Sequence, residues 1–121
     1  MKKLFTLLAL TISFSMNAQV STSNTSPSGT YASAIGNGTT ASGDVSTAMG
    51  FQSTATANFS TAMGRSTTAS GEYSTAMGYG TEASGGISTA MGDNTTASGE
   101  YSTAIGSVSY THLTLPTIYS V

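Results

Sequence analysis

Ser74-Thr75-Ala76-Met77-Gly78 is the stretch that decides the fold, because the chain repeats it at a fixed distance. Ser-Thr-Ala-Met-Gly also ends at Gly50, Gly64 and Gly92. Variants with Ile in place of Met end at Gly36 and Gly106, and neighbouring copies are always 14 residues apart. Six units that follow one another without insertion or deletion are the signature of a repeat architecture, here over residues 23–106.

The residue types within a unit favour short strands over helices. Gly recurs too often for a helix, Thr is β-branched, and no apolar stripe falls at helical spacing. Tyr73, Thr75 and Met77 alternate with Ser74 and Ala76, as expected of an extended segment with two different faces. The sequence therefore predicts an all-β fold, a parallel β-solenoid of six 14-residue coils in which each strand pairs with its equivalent one coil away.

Equivalent positions of the six units form columns, to which the sequence assigns different places. Only small side chains fit between two closely stacked strands. We therefore place two columns of small residues inside the roll, and one of them contains Ala41. Glycine tolerates positive φ, so the closing glycines are predicted to form the turn. The interior column is Ala34, Ala48, Ala62, Ala76, Ala90 and Ala104, and the turn column is Gly36, Gly50, Gly64, Gly78, Gly92 and Gly106.

Two columns of larger side chains are predicted to line an outer face. A thin coil with an alanine interior buries little apolar area, and an exposed apolar ladder is typical of an interface. We therefore expect an obligate oligomer whose inter-chain seam is the Met column. The alternative is a monomer in which these side chains fill a wider interior. The Met column is Ile35, Met49, Met63, Met77, Met91 and Ile105, and the aromatic column is Tyr31, Val45, Phe59, Tyr73, Ile87 and Tyr101.

Residues 1–18 have the pattern of a secretory signal peptide. Lys2 and Lys3 precede a short apolar run, and a polar stretch leads to Ala18, after which we expect cleavage. The alternative is an uncleaved tether. The run is too short to cross a bilayer comfortably, so the sequence predicts no membrane span. Residues 19–22 form a short lead-in to the first repeat.

Residues 107–121 break the repeat. Val108 to Thr117 resembles the in-frame translation of a sequencing-library adapter, so we expect residues 107–121 to be a non-native or disordered tail. His112 then has no functional role. We also expect that the natural chain continues beyond Gly106 into other sequence.

The composition argues against an enzyme and against several kinds of partner. The chain has no Cys, and Arg65 is its one basic residue beyond Lys2 and Lys3, against five acidic residues, so no basic surface is available for nucleic acid. Residues 23–106 also lack His and Lys, the usual general bases. Glu72 and Glu100 share a column two coils apart, roughly 10 Å, too far for an acid–base pair. No catalytic, cofactor-binding or metal site is predicted.

Small-residue units of 14 that close with Ser-x-Ala-apolar-Gly resemble the head repeats of trimeric autotransporter adhesins, the YadA-like heads. In that family the motif reads Asn-Ser-Val-Ala-Ile-Gly: Ser74, Ala76 and Gly78 match it, whereas Tyr73 and Thr75 replace Asn and Val. The resemblance implies a left-handed β-roll in a side-by-side homotrimer, exported to the cell surface or outside the cell. It also implies adhesion to a matrix protein, a glycan or a host or neighbouring cell.

Other functions are compatible with a solenoid. A structural spacer or fibre segment would have the same fold without a ligand. A flat array of threonines is typical of ice-binding solenoids, although Glu82 interrupts one threonine column and the other shares its face with Met and Tyr. Disorder is the remaining alternative for a Ser/Thr/Gly-rich chain, but the unbroken phase of six units argues against it. The two threonine columns are Thr47, Thr61, Thr75, Thr89 and Thr103, and Thr40, Thr54, Thr68 and Thr96.

Overall fold

The computed structural model describes residues 22–108 and the backbone of Tyr110 and Thr111. It confirms the predicted all-β parallel solenoid of six coils, each built from one long and one short strand. The predicted signal peptide, residues 1–18, and residues 112–121 lie outside the described residues. Within the described part of the chain no helix is long and apolar enough to cross a membrane.

The long strands form one six-stranded sheet and the short strands a second, seven-stranded sheet. Every described pairing is parallel, and each joins a residue to its equivalent 14 positions along the chain, as Ala62, Ala76 and Ala90 illustrate. The long strands are β2 (Ser33–Asn37), β4 (Thr47–Phe51), β6 (Thr61–Arg65), β8 (Thr75–Tyr79), β10 (Thr89–Asp93) and β12 (Thr103–Ser107). The short strands are β1 (Ser26–Pro27), β3 (Thr40–Ala41), β5 (Thr54–Ala55), β7 (Thr68–Ala69), β9 (Glu82–Ala83), β11 (Thr96–Ala97) and β13 (Tyr110–Thr111).

The interior of the solenoid is built from very small side chains. Alternation along each strand points Ala76 inward and leaves Thr75 and Met77 on the outer face, half-buried. The apolar side chains that are fully buried in the described residues are all alanines, from both strand types. The interior alanine column of the sequence analysis is Ala34, Ala48, Ala62, Ala76, Ala90 and Ala104, each at most 1% exposed.

The predicted turn glycines do not lie at a turn. Each is the fourth residue of a five-residue long strand, as Gly78 is in β8. Its φ of 125° and the close approach of the next coil explain the requirement for glycine, because a Cβ on Gly78 would lie 2.0 Å from the carbonyl oxygen of Gly92. This corrects the placement of Gly36, Gly50, Gly64, Gly78, Gly92 and Gly106.

The chain turns at two other places in every coil. At the first corner, between a short strand and the next long strand, Ser74 N donates to Gly71 O at 3.1 Å and Tyr73 has a φ of 58°. At the second corner, between a long strand and the next short strand, the corresponding residue is Gly80, with a φ of 61°. Both corners therefore depend on one residue in the left-handed region.

The repeat continues further than the expected limit at Gly106. The last long strand ends at Ser107, and Tyr110–Thr111 pair in register with Thr96–Ala97. The backbone of the short-strand sheet therefore extends into the stretch that was expected to be a tail. The native or non-native origin of that stretch stays a prediction.

Candidate functional site

The outer face of the long-strand sheet carries the Met column beside a threonine column. Met49, Met63, Met77 and Met91 are half-buried by their own chain, and their Cα atoms pair from coil to coil. Ile105, on the last long strand, is 50% exposed. A continuous apolar ladder with part of its surface open to solvent is the kind of face that another protein surface can cover.

The aromatic column lies at the first corner, just before each long strand. The sequence prediction had placed it within the strand itself. Its side chains are exposed, from 46% for Val45 to 74% for Tyr31. Phe59 and Tyr73 are stacked, with ring centroids 4.9 Å apart and planes 2° from parallel. All six members have a φ between 54° and 59°, namely Tyr31, Val45, Phe59, Tyr73, Ile87 and Tyr101.

That corner is strained by the residue types that occupy it. The third residue of such a turn needs positive φ, for which Gly and Asn are suited. Val45 and Ile87 are β-branched and fit this region worst. Bulky side chains at this corner therefore cost conformational free energy. Pairing with the adjacent coils keeps the backbone in this unfavourable conformation.

A second exposed column follows the Met column at the end of the long strands. The guanidinium of Arg65 lies over the rings of Phe51 and Tyr79, 5.7 and 5.5 Å from their centroids. Phe51 and Tyr79 are 43% and 48% exposed. Three consecutive coils thus place a cation between two aromatic rings on the surface.

One acidic residue, Asp44, and the equivalent Asn58 of the next coil accept hydrogen bonds from backbone amides at the first corner. Asp44 Oδ1 accepts from Thr30 N at 2.9 Å, and Asn58 Oδ1 accepts from Asp44 N at 3.0 Å. Glu72 and Glu100, in the same column, are exposed. Among the described residues no group of His, Cys, Asp or Glu could hold a metal ion.

Buried hydroxyl groups are the feature that sequence reasoning missed. Ten Ser and Thr side chains are fully buried beside the alanines. Ser53 Oγ donates to Gly64 O at 3.0 Å and Ser60 Oγ to Ala57 O at 2.6 Å. The other hydroxyls have no partner among the described residues: Thr39, Ser46, Thr67, Ser74, Thr81, Ser88, Thr95 and Ser102. Each lies two residues before an interior alanine, so the alternation itself was the available signal.

Comparison with known protein families decides what this solenoid is. A family model described as "YadA head domain repeat (2 copies)" matches residues 28–53, 46–67, 55–81, 69–86 and 83–109, which together span more than half of the chain. The chain belongs to the YadA head family. Neither the curated proteins nor the solved structures give a match.

Membership of the YadA head family confirms the resemblance seen in the repeat. YadA heads are parts of trimeric autotransporter adhesins, so this chain is a segment of that kind. The family is one of adhesins and not of enzymes. The heads of this family form trimers and are displayed on cell surfaces. The exposed columns of side chains are therefore the features to consider as the functional site.

Proposed function

We propose that the chain is the head of an exported adhesin that attaches to surfaces through its repeated outer columns. The observation that carries the proposal is the in-register pairing of six coils, which sets equivalent side chains one above another on the outside. A surface built of repeats offers many weak contacts at once, and these add through multivalency. The candidate partners are a matrix protein, a glycan or the surface of a host or neighbouring cell.

The proposal includes a left-handed roll assembled side by side with two further copies. The Met column is the proposed seam, because it forms an apolar ladder that one chain leaves half-covered. The alanine interior supports the same view, since a coil with so little buried apolar area gains stability from covering its outer face.

Substitution in the seam tests this assembly. Met77→Asp replaces an apolar side chain by a charged one, and burial of that charge against another chain would be costly. The variant should therefore have the mass of a single chain in light scattering. Glu72→Gln is the matched control, because Glu72 is exposed at the first corner. Equal masses for the two variants would contradict the assignment of the seam.

Adhesion is tested by retention of the full chain on immobilised matrix proteins, glycans and intact cells. We expect retention that weakens when Tyr73, 53% exposed at the first corner, is changed to Ser. Glu82→Gln, on the short-strand face, should bind like the unaltered chain. A structural spacer would be retained on none of these surfaces, and that result would reject adhesion.

Export is the last part of the proposal. Residues 1–18 act as a signal peptide, and the mature chain begins at Gln19. N-terminal sequencing of the secreted or surface-bound form tests this directly. A mature chain that still begins at Met1 would support the uncleaved tether instead.

Ice binding is a second candidate with one structural observation in its favour. The outer face of the short-strand sheet sets Thr40, Thr54 and Thr68 in register, one above another. Glu82 takes the next position, between Thr68 and Thr96, and breaks the flat array. Thermal hysteresis in a freezing assay would favour this function, and its absence would leave adhesion or a spacer.

A further inference from the structure

Asn37-Gly38 is a dipeptide in the first coil that the proposed function leaves unused. Asn37 is the last residue of β2, and its side chain is exposed. Gly38 follows at the second corner with a φ of 67°. Because glycine has no side chain, nothing on Gly38 hinders the approach of its amide nitrogen to the side-chain carbonyl carbon of Asn37.

The backbone amide of Gly38 differs from those of the equivalent residues in later coils. Gly80 N donates to Arg65 O at 2.9 Å, and Asn94 N donates to Tyr79 O at 2.8 Å. Gln52, Ser66 and Val108 make the same bond to the coil before them, at 2.7 to 2.9 Å.

For Gly38 the acceptor in that pattern would be Ser23, which lies in a turn before the first strand. No described residue accepts a hydrogen bond from Gly38 N. Among the described residues this amide is therefore unpaired, because those that precede β1 do not make up a complete coil.

Two other asparagines are held by the solenoid. Phe59 N, which follows Asn58, donates to Asp44 O at 2.9 Å, and the side-chain oxygen of Asn58 accepts from Asp44 N. Asn94 precedes Thr95, a branched and fully buried residue. Neither has both a following glycine and an amide without a hydrogen bond.

We propose that Asn37 is a site of spontaneous deamidation through a cyclic imide. Gly38 N gives up its proton to water or hydroxide and attacks Cγ of Asn37, forming a new C–N bond. The bond from Cγ to Nδ2 breaks, and Nδ2 leaves as ammonia with a proton from solvent. Water then opens the imide at one of its two carbonyl carbons, giving aspartate or isoaspartate, so no oxidant or reductant is needed.

The modification changes one edge of the solenoid and does not depend on the proposed function. Both products add a negative charge to an already acidic chain. Isoaspartate also routes the backbone through Cβ and Cγ, so the Asn37 carbonyl that accepts from Gln52 N at 2.9 Å leaves the backbone and becomes part of a free carboxylate. Because β2 is the edge of the long-strand sheet, the pairing among the later coils is unaffected.

Incubation of the folded full chain, followed by peptide mapping with mass spectrometry and isoaspartate labelling, measures the reaction. Asn37 should convert faster as pH rises, because the attacking amide must lose its proton. Asn58 and Asn94 should keep their amides over the same time.

Tyr79→Asn provides a matched comparison, because it places a second Asn-Gly pair in front of Gly80, at the same corner with a φ of 61°. The amide of Gly80 is hydrogen-bonded, so we expect the introduced asparagine to convert about tenfold more slowly than Asn37 in the folded chain. In concentrated urea the two rates should become equal, which shows that the fold causes the difference.

Two results would overturn the proposal. One is equal conversion of Asn37 and the introduced asparagine in the folded chain. The other is an Asn37 that keeps its amide as long as Asn58 does.

Discussion

Removal of a buried hydroxyl group that has no hydrogen-bond partner among the described residues should stabilise this protein, and Ser74→Ala is the sharpest case. Ser74 is fully buried, and its Oγ has no hydrogen-bond partner among the described residues. In the unfolded chain the same hydroxyl is hydrated, so folding costs about 1–3 kcal/mol for an unsatisfied group of this kind. Alanine removes that cost at a position where it fits, because Ala32 occupies the same column in the first coil.

Ser60→Ala is the matched control for this prediction. Ser60 belongs to the same column and is equally buried, but its Oγ donates to Ala57 O at 2.6 Å. Loss of that bond should lower the free energy of unfolding by about 0.5–1.5 kcal/mol. The two substitutions delete the same atom, so packing changes alike and the hydrogen bond makes the difference.

Urea unfolding followed by circular dichroism measures both variants. We expect a higher midpoint than the unaltered chain for Ser74→Ala and a lower midpoint for Ser60→Ala, with unchanged dependence on urea. A Ser74→Ala variant that loses as much stability as Ser60→Ala would refute the reasoning, because it would mean that the Ser74 hydroxyl is satisfied in the folded protein.

Three further substitutions have expected outcomes that thermal or urea unfolding can check. Gly78→Ala should abolish folding or lower the free energy of unfolding by more than about 3 kcal/mol, because the new Cβ would lie 2.0 Å from a backbone oxygen. Gly86→Ala is its control and should change the free energy of unfolding by less than about 1 kcal/mol, because the new Cβ would have only a side-chain atom near it, at 3.8 Å. Ile87→Asn should raise the free energy of unfolding by about 1 kcal/mol, because asparagine tolerates the φ of 54° at the first corner. A lower free energy of unfolding would show that the packing of Ile87 stabilises the protein by more than its backbone strain destabilises it. Arg65→Gln should lower it by about 0.5–1 kcal/mol through loss of the contacts with Phe51 and Tyr79, and no change would mean that these contacts are not maintained in solution.

The repeat made most of the fold predictable. The fixed distance between copies of Ser-Thr-Ala-Met-Gly predicts parallel pairing of equivalent residues, and the structure pairs Met77 with Met91 and Met63 accordingly. Alternation predicts that Ala76 points inward and Met77 outward. Both follow from the two-residue period of a strand, which requires no knowledge of neighbouring coils.

Features that depend on the backbone between coils could not be predicted in the same way. Gly78 was expected at a turn, because glycine is the residue that tolerates positive φ. A close approach of two backbones inside a sheet also requires glycine, and the sequence alone does not distinguish these two situations. Tyr73 was expected in a strand because the alternation extends to it, but it lies in the turn that precedes β8. The hydroxyl of Ser74 shares a face with alanine in the pattern, yet the hydrogen bond that separates it from Ser60 is visible only in three dimensions.

The proposed side-by-side assembly of three chains through the Met column is tested most directly by the molar mass of the folded, unaltered chain. Light scattering on a sample with the circular dichroism of a β-protein should give three times the mass of one chain. A folded, β-rich sample with the mass of a single chain would contradict it.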